Sequence, residues 1–184
     1  MKRALLVIDV QNEYFTGKMQ ITYPDGSFNN ILKAIDAANE IDIPVILIRH
    51  GALQQEADVF AIGSKGWNIH EEILRKRHVC IIDKNLPGSF TNTNLEACLK
   101  NMEINTVVIC GYMTQMCCDT TARQAVHLGF SVEFLSDATG TLDVTNSAGM
   151  IKAKELHQAI LITQEMRFSK VLSLSEWIKE RSIK

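Results

Sequence analysis

Short apolar runs punctuate the 184-residue chain at Ala4–Asp9, Pro44–Arg49, Val79–Asp83, Thr106–Gly111, Ser131–Leu135 and Ala159–Thr163. Several show no alternation of apolar with polar residues, as expected of a strand buried on both faces. Between them lie segments with helical spacing: Asn29–Ile41, Ile69–Arg77, Thr93–Asn101, Cys118–Leu128, Asp143–Leu156 and Ser175–Arg181. Strand and helix in alternation specify a parallel sheet, because parallel neighbours need a crossover and a helix supplies one while covering a face. The expected architecture is a three-layer α/β fold formed by one domain, residues 1–184.

Local punctuation agrees. Thr93 can cap the helix of Leu95 and Leu99, and Gly129 sits where a helix stops before a strand. Only Thr16–Phe28 and Gly51–Asn68 are long and irregular, and loops of that length in a compact domain usually form lids or pocket walls. Nineteen basic against twenty-one acidic residues, spread without runs, give no electrostatic footprint for nucleic acid or an anionic membrane. No stretch approaches the ~20 apolar residues of a membrane span. Met1-Lys2-Arg3 precedes an apolar run that Asp9 interrupts, so this segment reads as a first strand and not a signal peptide. Five cysteines, an odd number without metal-finger spacing, point to a reducing, cytoplasmic setting. A small-molecule partner fits best.

In an open α/β sheet, ligands bind beyond the carboxyl ends of the strands. Asp9, Arg49-His50, Lys84 and the turn Gly111–Cys117 all fall there. The turn leads from an apolar strand into a helix, where unpaired N–H groups and the macrodipole favour thiolate over thiol. Cys117, at the end of the turn, is the first candidate nucleophile, and Cys118 opens the helix. Asp9 follows four apolar residues, a costly place for a charge without a partner or a task. Each has a plainer reading: the thiols as small core residues, Asp9 as a cap, Lys84 as a solvated surface lysine. No GxGxxG or GxxxxGK[ST] loop follows a strand, which counts against a flavodoxin-like nucleotide-binding protein. His50 and His70, lacking a carboxylate or third imidazole nearby, make an incomplete metal site, so no metal or cofactor is expected. His78, His127 and His157 read as core or surface residues. Phe15, Trp67, Phe90 and Tyr112, with His50, are candidates for the walls of a substrate pocket.

Taken together, Val7-Ile-Asp-Val-Gln11 with Phe15, Gly63-Ser-Lys-Gly-Trp-Asn-Ile-His70, Lys84 with Ser89-Phe-Thr-Asn-Thr-Asn-Leu95, the Cys117 turn with Thr120-Thr-Ala-Arg123, and Ser136-Asp-Ala138 resemble the isochorismatase-like cysteine hydrolases. The match runs nearly end to end. It implies a three-layer, Rossmann-like parallel six-stranded sheet with helices on both faces, and cleavage of amide, ureido or nitrile-related C–N bonds by a catalytic triad, here Asp9, Lys84 and Cys117. It also implies a non-proline cis peptide at Tyr112–Met113, an oxyanion hole from the backbone N–H groups of Met113 and Cys117, and a homodimer or larger homo-oligomer. Residues of Gly51–Asn68 would lie close to the partner. The metal-binding Asp that accompanies two histidines in nicotinamidases has no evident counterpart. Vinyl ether cleavage of the isochorismatase type, often performed without the cysteine, is the alternative reaction. A non-enzymatic or redox protein using the Cys117-Cys118 pair is the alternative class.

Overall fold

The computed structural model describes residues 1–54 and 57–182. Its strands are β1 (Arg3–Ile8), β2 (Val45–His50), β3 (Cys80–Lys84), β4 (Thr106–Tyr112), β5 (Ser131–Gly140), β6 (Val144–Asn146), β7 (Gly149–Ile151) and β8 (Lys170–Leu172). The helices are α1 (Glu13–Thr16), α2 (Ser27–Glu40), α3 (Glu71–Leu74), α4 (Leu95–Asn101), α5 (Asp119–His127), α6 (Ala153–Arg167) and α7 (Leu174–Ser182). Six strands form one parallel sheet in the order β3-β2-β1-β4-β5-β8, and β6 with β7 makes a separate antiparallel hairpin. The chain winds outward from β1 to β3, returns to the other side of β1 as β4, and continues to β8. A crevice therefore opens between the carboxyl ends of β1 and β4, the point where the winding reverses.

Both faces of β1 are covered, which is why its sequence does not alternate. Leu5 and Val7 pack with Ile31 and Ile35 of α2 and with Trp177 of α7. Ala4, Leu6 and Ile8 pack with Leu99 of α4 and Ala122 and Ala125 of α5. Gly111 shows how closely the central strands meet: its φ is +116°, and a Cβ there would lie 2.1 Å from the Ile8 carbonyl oxygen. Gly129 (φ +88°) ends α5 as expected, and Thr93 Oγ1 accepts from the Leu95 N–H at 3.2 Å.

Three expectations are corrected. Ala159–Thr163 is the middle of α6, and the sixth strand is the short Lys170–Leu172. A run of five apolar or β-branched residues cannot by itself distinguish strand from helix, and a three-residue edge strand leaves almost no pattern. Asp143–Leu156 begins as the β6–β7 hairpin and becomes helix only at Ala153. Asp143 nevertheless caps that helix across the hairpin, accepting from the Ala153 N–H at 2.8 Å and pairing with Lys152 at 2.7 Å. Ile69–Arg77 condenses to Glu71–Leu74, with the His70 ring capping its first turn. Among the described residues no helix is long and apolar enough to cross a membrane.

The Gly111 contact yields a direct test. Gly111→Ala meets both an unfavourable φ and the Ile8 backbone, which cannot move without breaking the β1–β4 ladder. It should cost at least ~1–3 kcal/mol, read as a lower urea midpoint with an unchanged slope.

Candidate active site

Three residues converge at the crevice. Asp9 is the first residue past β1, at φ +51°, a left-handed conformation that Asp tolerates better than most side chains, and its N–H donates to the Ile48 carbonyl at 3.0 Å. Lys84 ends β3, two strands away, so its long side chain must cross β2. It does so completely buried, and Nζ donates to Asp9 Oδ2 at 2.7 Å and to Cys117 Sγ at 3.3 Å. Cys117 lies on a single π-helical turn, Thr114–Cys118, between β4 and α5. The Tyr112–Met113 peptide just before that turn is cis, as the resemblance implied.

Burial lowers the basicity of an amine, but the Asp9 carboxylate and the Cys117 sulfur act in the opposite direction and raise the Lys84 pKa on balance. Burial pushes the Cys117 thiol up, with Asp9 adding to the rise and Lys84 opposing it. Burial thus works against the thiolate that helix geometry favours, and the Lys84 ammonium works for it. Asp9 Oδ1 is buried without a hydrogen-bond partner, leaving one carboxylate oxygen uncommitted beside the thiol.

Around this cluster, His50 stands opposite Lys84 in the β2–β3 register, with Nδ1 3.4 Å from Nζ. Burial first, and then Lys84, lower its pKa, so the ring is neutral near pH 7. Phe15 lies 4.5 Å from the His70 ring and 6.1 Å from the Tyr112 ring, centre to centre. Tyr112 is buried and shares a hydrogen bond with Ser27 Oγ at 3.2 Å. Phe15, Phe28, Ser27 and Tyr112 line a cavity of about 520 Å³. Trp67 carries the Arg49 guanidinium 3.6 Å above its ring, and Arg49 in turn pairs with Asp83.

Phe90 is not brought to this wall: it stacks on Phe130, just before β5 and at the far end of that strand from the crevice. Its hydrophobicity was readable from sequence, but the direction in which the Asn85–Phe90 turn sends it was not. His50 and His70 also part company, His70 packing between Phe15 and Phe28 as the cap of α3. Among the described residues no three His, Cys, Asp or Glu are grouped to hold a metal ion.

Several residues that shape the site were not singled out from sequence. Gln11 is buried, donates to the carbonyls of His50 (2.8 Å) and Trp67 (2.7 Å), and accepts from the His50 N–H (2.9 Å). Tyr14 is buried near Cys117 and Asp9, with its hydroxyl pKa raised by burial and by those neighbours. His157, read as an ordinary core or surface residue, reaches from α6 to share a hydrogen bond with Thr114 Oγ1 at 2.8 Å and another with the Ser136 carbonyl at 3.0 Å. It ties the turn bearing Cys117 to β5. The polar type of Gln11, directly after an apolar strand, was the available signal; nothing local marks His157.

Losing the His157 tie should be felt at the turn. His157→Ala removes two buried hydrogen bonds and leaves a cavity, an expected loss of ~2–4 kcal/mol. A thermal midpoint lower by about 5–10 °C would register it.

The Isochorismatase domain model matches residues 3–166. The chain is 32% identical over 178 residues to Nicotinamidase 3 of Arabidopsis thaliana, covering 90% of this chain and 82% of the relative. It is 26% identical over 170 residues to a ureidoacrylate amidohydrolase of Agrobacterium fabrum, covering 74% and 75%. Among solved structures, a putative isochorismatase from Burkholderia xenovorans superposes with a TM-score of 0.95 at 41% identity, over 98% of this chain and 88% of that one. With the six-stranded parallel sheet and the crevice between β1 and β4 already described, these similarities establish that the chain belongs to the isochorismatase family of hydrolases.

Proposed function

We propose that the protein is a cysteine hydrolase that cleaves a C–N bond of a small amide or carbamoyl-type molecule through a thioester on Cys117. The observation that carries the reading is the buried contact of Lys84 Nζ with both Asp9 Oδ2 and Cys117 Sγ. A lysine ammonium held there has no structural task that a hydrophobic residue would not perform at lower desolvation cost. Two relatives bear the names nicotinamidase and ureidoacrylate amidohydrolase, and the cysteine favours this chemistry over vinyl ether cleavage. Cys118, fully buried in the core behind α5, is poorly placed for a redox pair with Cys117.

In this mechanism Asp9 takes the thiol proton as sulfur attacks the carbonyl carbon, and Lys84 stabilises the developing thiolate. The carbonyl oxygen gains negative charge, which the backbone N–H groups of Met113 and Cys117 receive; such a donor is worth roughly 3 kcal/mol in other enzymes. As the C–N bond breaks, the proton on Asp9 passes to the departing nitrogen. Asp9 then deprotonates a water that attacks the thioester carbonyl, releasing the acid and restoring the thiol. Phe15, His50, Trp67 and Tyr112 bound the substrate, which remains a small molecule and not a nucleic acid or membrane. Five free thiols suit a reducing compartment such as the cytoplasm.

The test is a panel of small amides, carbamoyl compounds and isochorismate, followed for ammonia or acid release. Cys117→Ala should lower the turnover found by at least ~10⁴-fold, while Cys118→Ala keeps most of it. Turnover of isochorismate alone, or a Cys117→Ala enzyme with full activity, would overturn the proposal. Asp9→Asn should be as damaging as loss of the thiol, and leaving Lys84 without a counter-ion adds a stability loss of ~3–5 kcal/mol in urea titration. Prolonged chelation followed by gel filtration should leave turnover unchanged, whereas activity restored only by added zinc or manganese would place a metal in the reaction.

A further inference from the structure

Of the five thiols, Cys110, Cys117 and Cys118 are buried, whereas Cys80 and Cys98 are only partly so. These two are also each other's partners, their sulfurs sharing a hydrogen bond at 4.0 Å. Cys80 opens β3 and Cys98 lies in α4, and both pack against the rim of the core that α4 and α5 cover. Two small apolar side chains would fill this place as well. Two facing thiols, partly open to solvent, can in addition be joined.

A disulfide brings its sulfurs to ~2.0 Å, so the gap left to close is about 2 Å. Both elements can give that much. β3 is an edge strand, bonded within the sheet to β2 alone, and Cys80 is its first residue. α4 has only seven residues and is held by Leu95 and Leu99. The bond would close a covalent ring over residues 80–98. Inside that ring lie Lys84, at the far end of β3, and Ser89, whose N–H and hydroxyl are fastened to Thr121 Oγ1 of α5 at 3.0 and 2.8 Å. The strand that delivers the ammonium and the segment docked on the helix after Cys117 would thus share one closed loop of chain.

We infer that Cys80 and Cys98 form a reversible intramolecular disulfide when the protein meets a small-molecule disulfide, and that this bond clamps α4 to β3. One protein thiolate attacks the small disulfide RS–SR, forming a mixed disulfide and releasing RS⁻; the other attacks the protein sulfur of that mixed disulfide and expels the second RS⁻. The two protein thiols together lose two protons and two electrons, and the small disulfide, taking both up, leaves as two thiols. Burial, and then Cys98, push the Cys80 thiol up to about 11, so its thiolate is scarce near neutral pH and closure is slow there. Closure consumes no group of the hydrolytic mechanism and does not depend on which bond Cys117 cleaves.

Peptide mapping by mass spectrometry tests this on the parent chain, treated with glutathione disulfide at mildly alkaline pH and alkylated without reduction. The expected product is a cross-linked pair of the Cys80 and Cys98 peptides, ~2 Da lighter than the two free peptides together, which a dithiol reductant separates. Because the link constrains the unfolded chain, the thermal midpoint should rise by ~5–10 °C on oxidation and fall back on reduction. Cys80→Ser and Cys98→Ser should each lose both the link and the rise, with glutathione left on the remaining thiol of the pair. Glutathione adducts alone, a Cys117–Cys118 link alone, or no oxidation of the pair would overturn the inference, as would a midpoint that stays put once the Cys80–Cys98 link is complete. The mapping and the midpoint need no variant, so they decide the matter even if serine at either position unfolds the chain.

Discussion

The ion pair between Lys84 and Asp9, 2.7 Å long and wholly removed from water, is the constraint around which the crevice is organised. Two charges in such a place are stable only together, and the desolvation they suffer is offset by contacts that few arrangements allow. The lysine must end one strand, the carboxylate must follow another two positions away in the sheet, and the strand between them must let a side chain cross. His50 occupies that crossing point. Its neutral ring, held so by burial and by the ammonium beside it, adds no competing charge.

Sheet topology makes the pairing possible. Because the winding reverses between β1 and β4, no crossover covers the gap above them, and residues just beyond both strands face the same space. Gly111 lets the two backbones approach so closely that Asp9 and the π-helical turn lie side by side. Carboxylate and sulfur thus come from opposite halves of the chain, more than a hundred residues apart, yet lie just beyond the ends of adjacent strands.

The polar residues at strand ends were legible because apolar runs announce the strands and a charge directly after one is conspicuous. Asp9 and Lys84 were found on those grounds and Cys117 by its place where a strand turns into a helix, and resemblance to a known family added the roles expected of them. What local pattern could not convey was anything decided by packing. Over Ala159–Ile162 apolar residues of α6 point both inward and outward, so its period was hidden. β8 is too short and too near the edge to carry a signal. Phe90 sits in a turn whose direction depends on Phe130, forty residues on. The thiol's protonation depends on how deeply the turn is buried, which no spacing of residues reveals.

Gln11 joins features that otherwise look separate. Its amide holds the backbone of His50 and Trp67, and the segment between those residues is also tied to the third strand, the Gly51 N–H donating to the Lys84 carbonyl and its carbonyl accepting from Asn85. The loop's two ends are thus fastened to the chain beside the carboxylate and beside the ammonium. The anchors at those two ends are a residue two positions from Asp9 and the backbone of Lys84 itself. The backbone that carries the ion pair is therefore shared with the anchors of this loop, whose bonding atoms do not touch the sulfur.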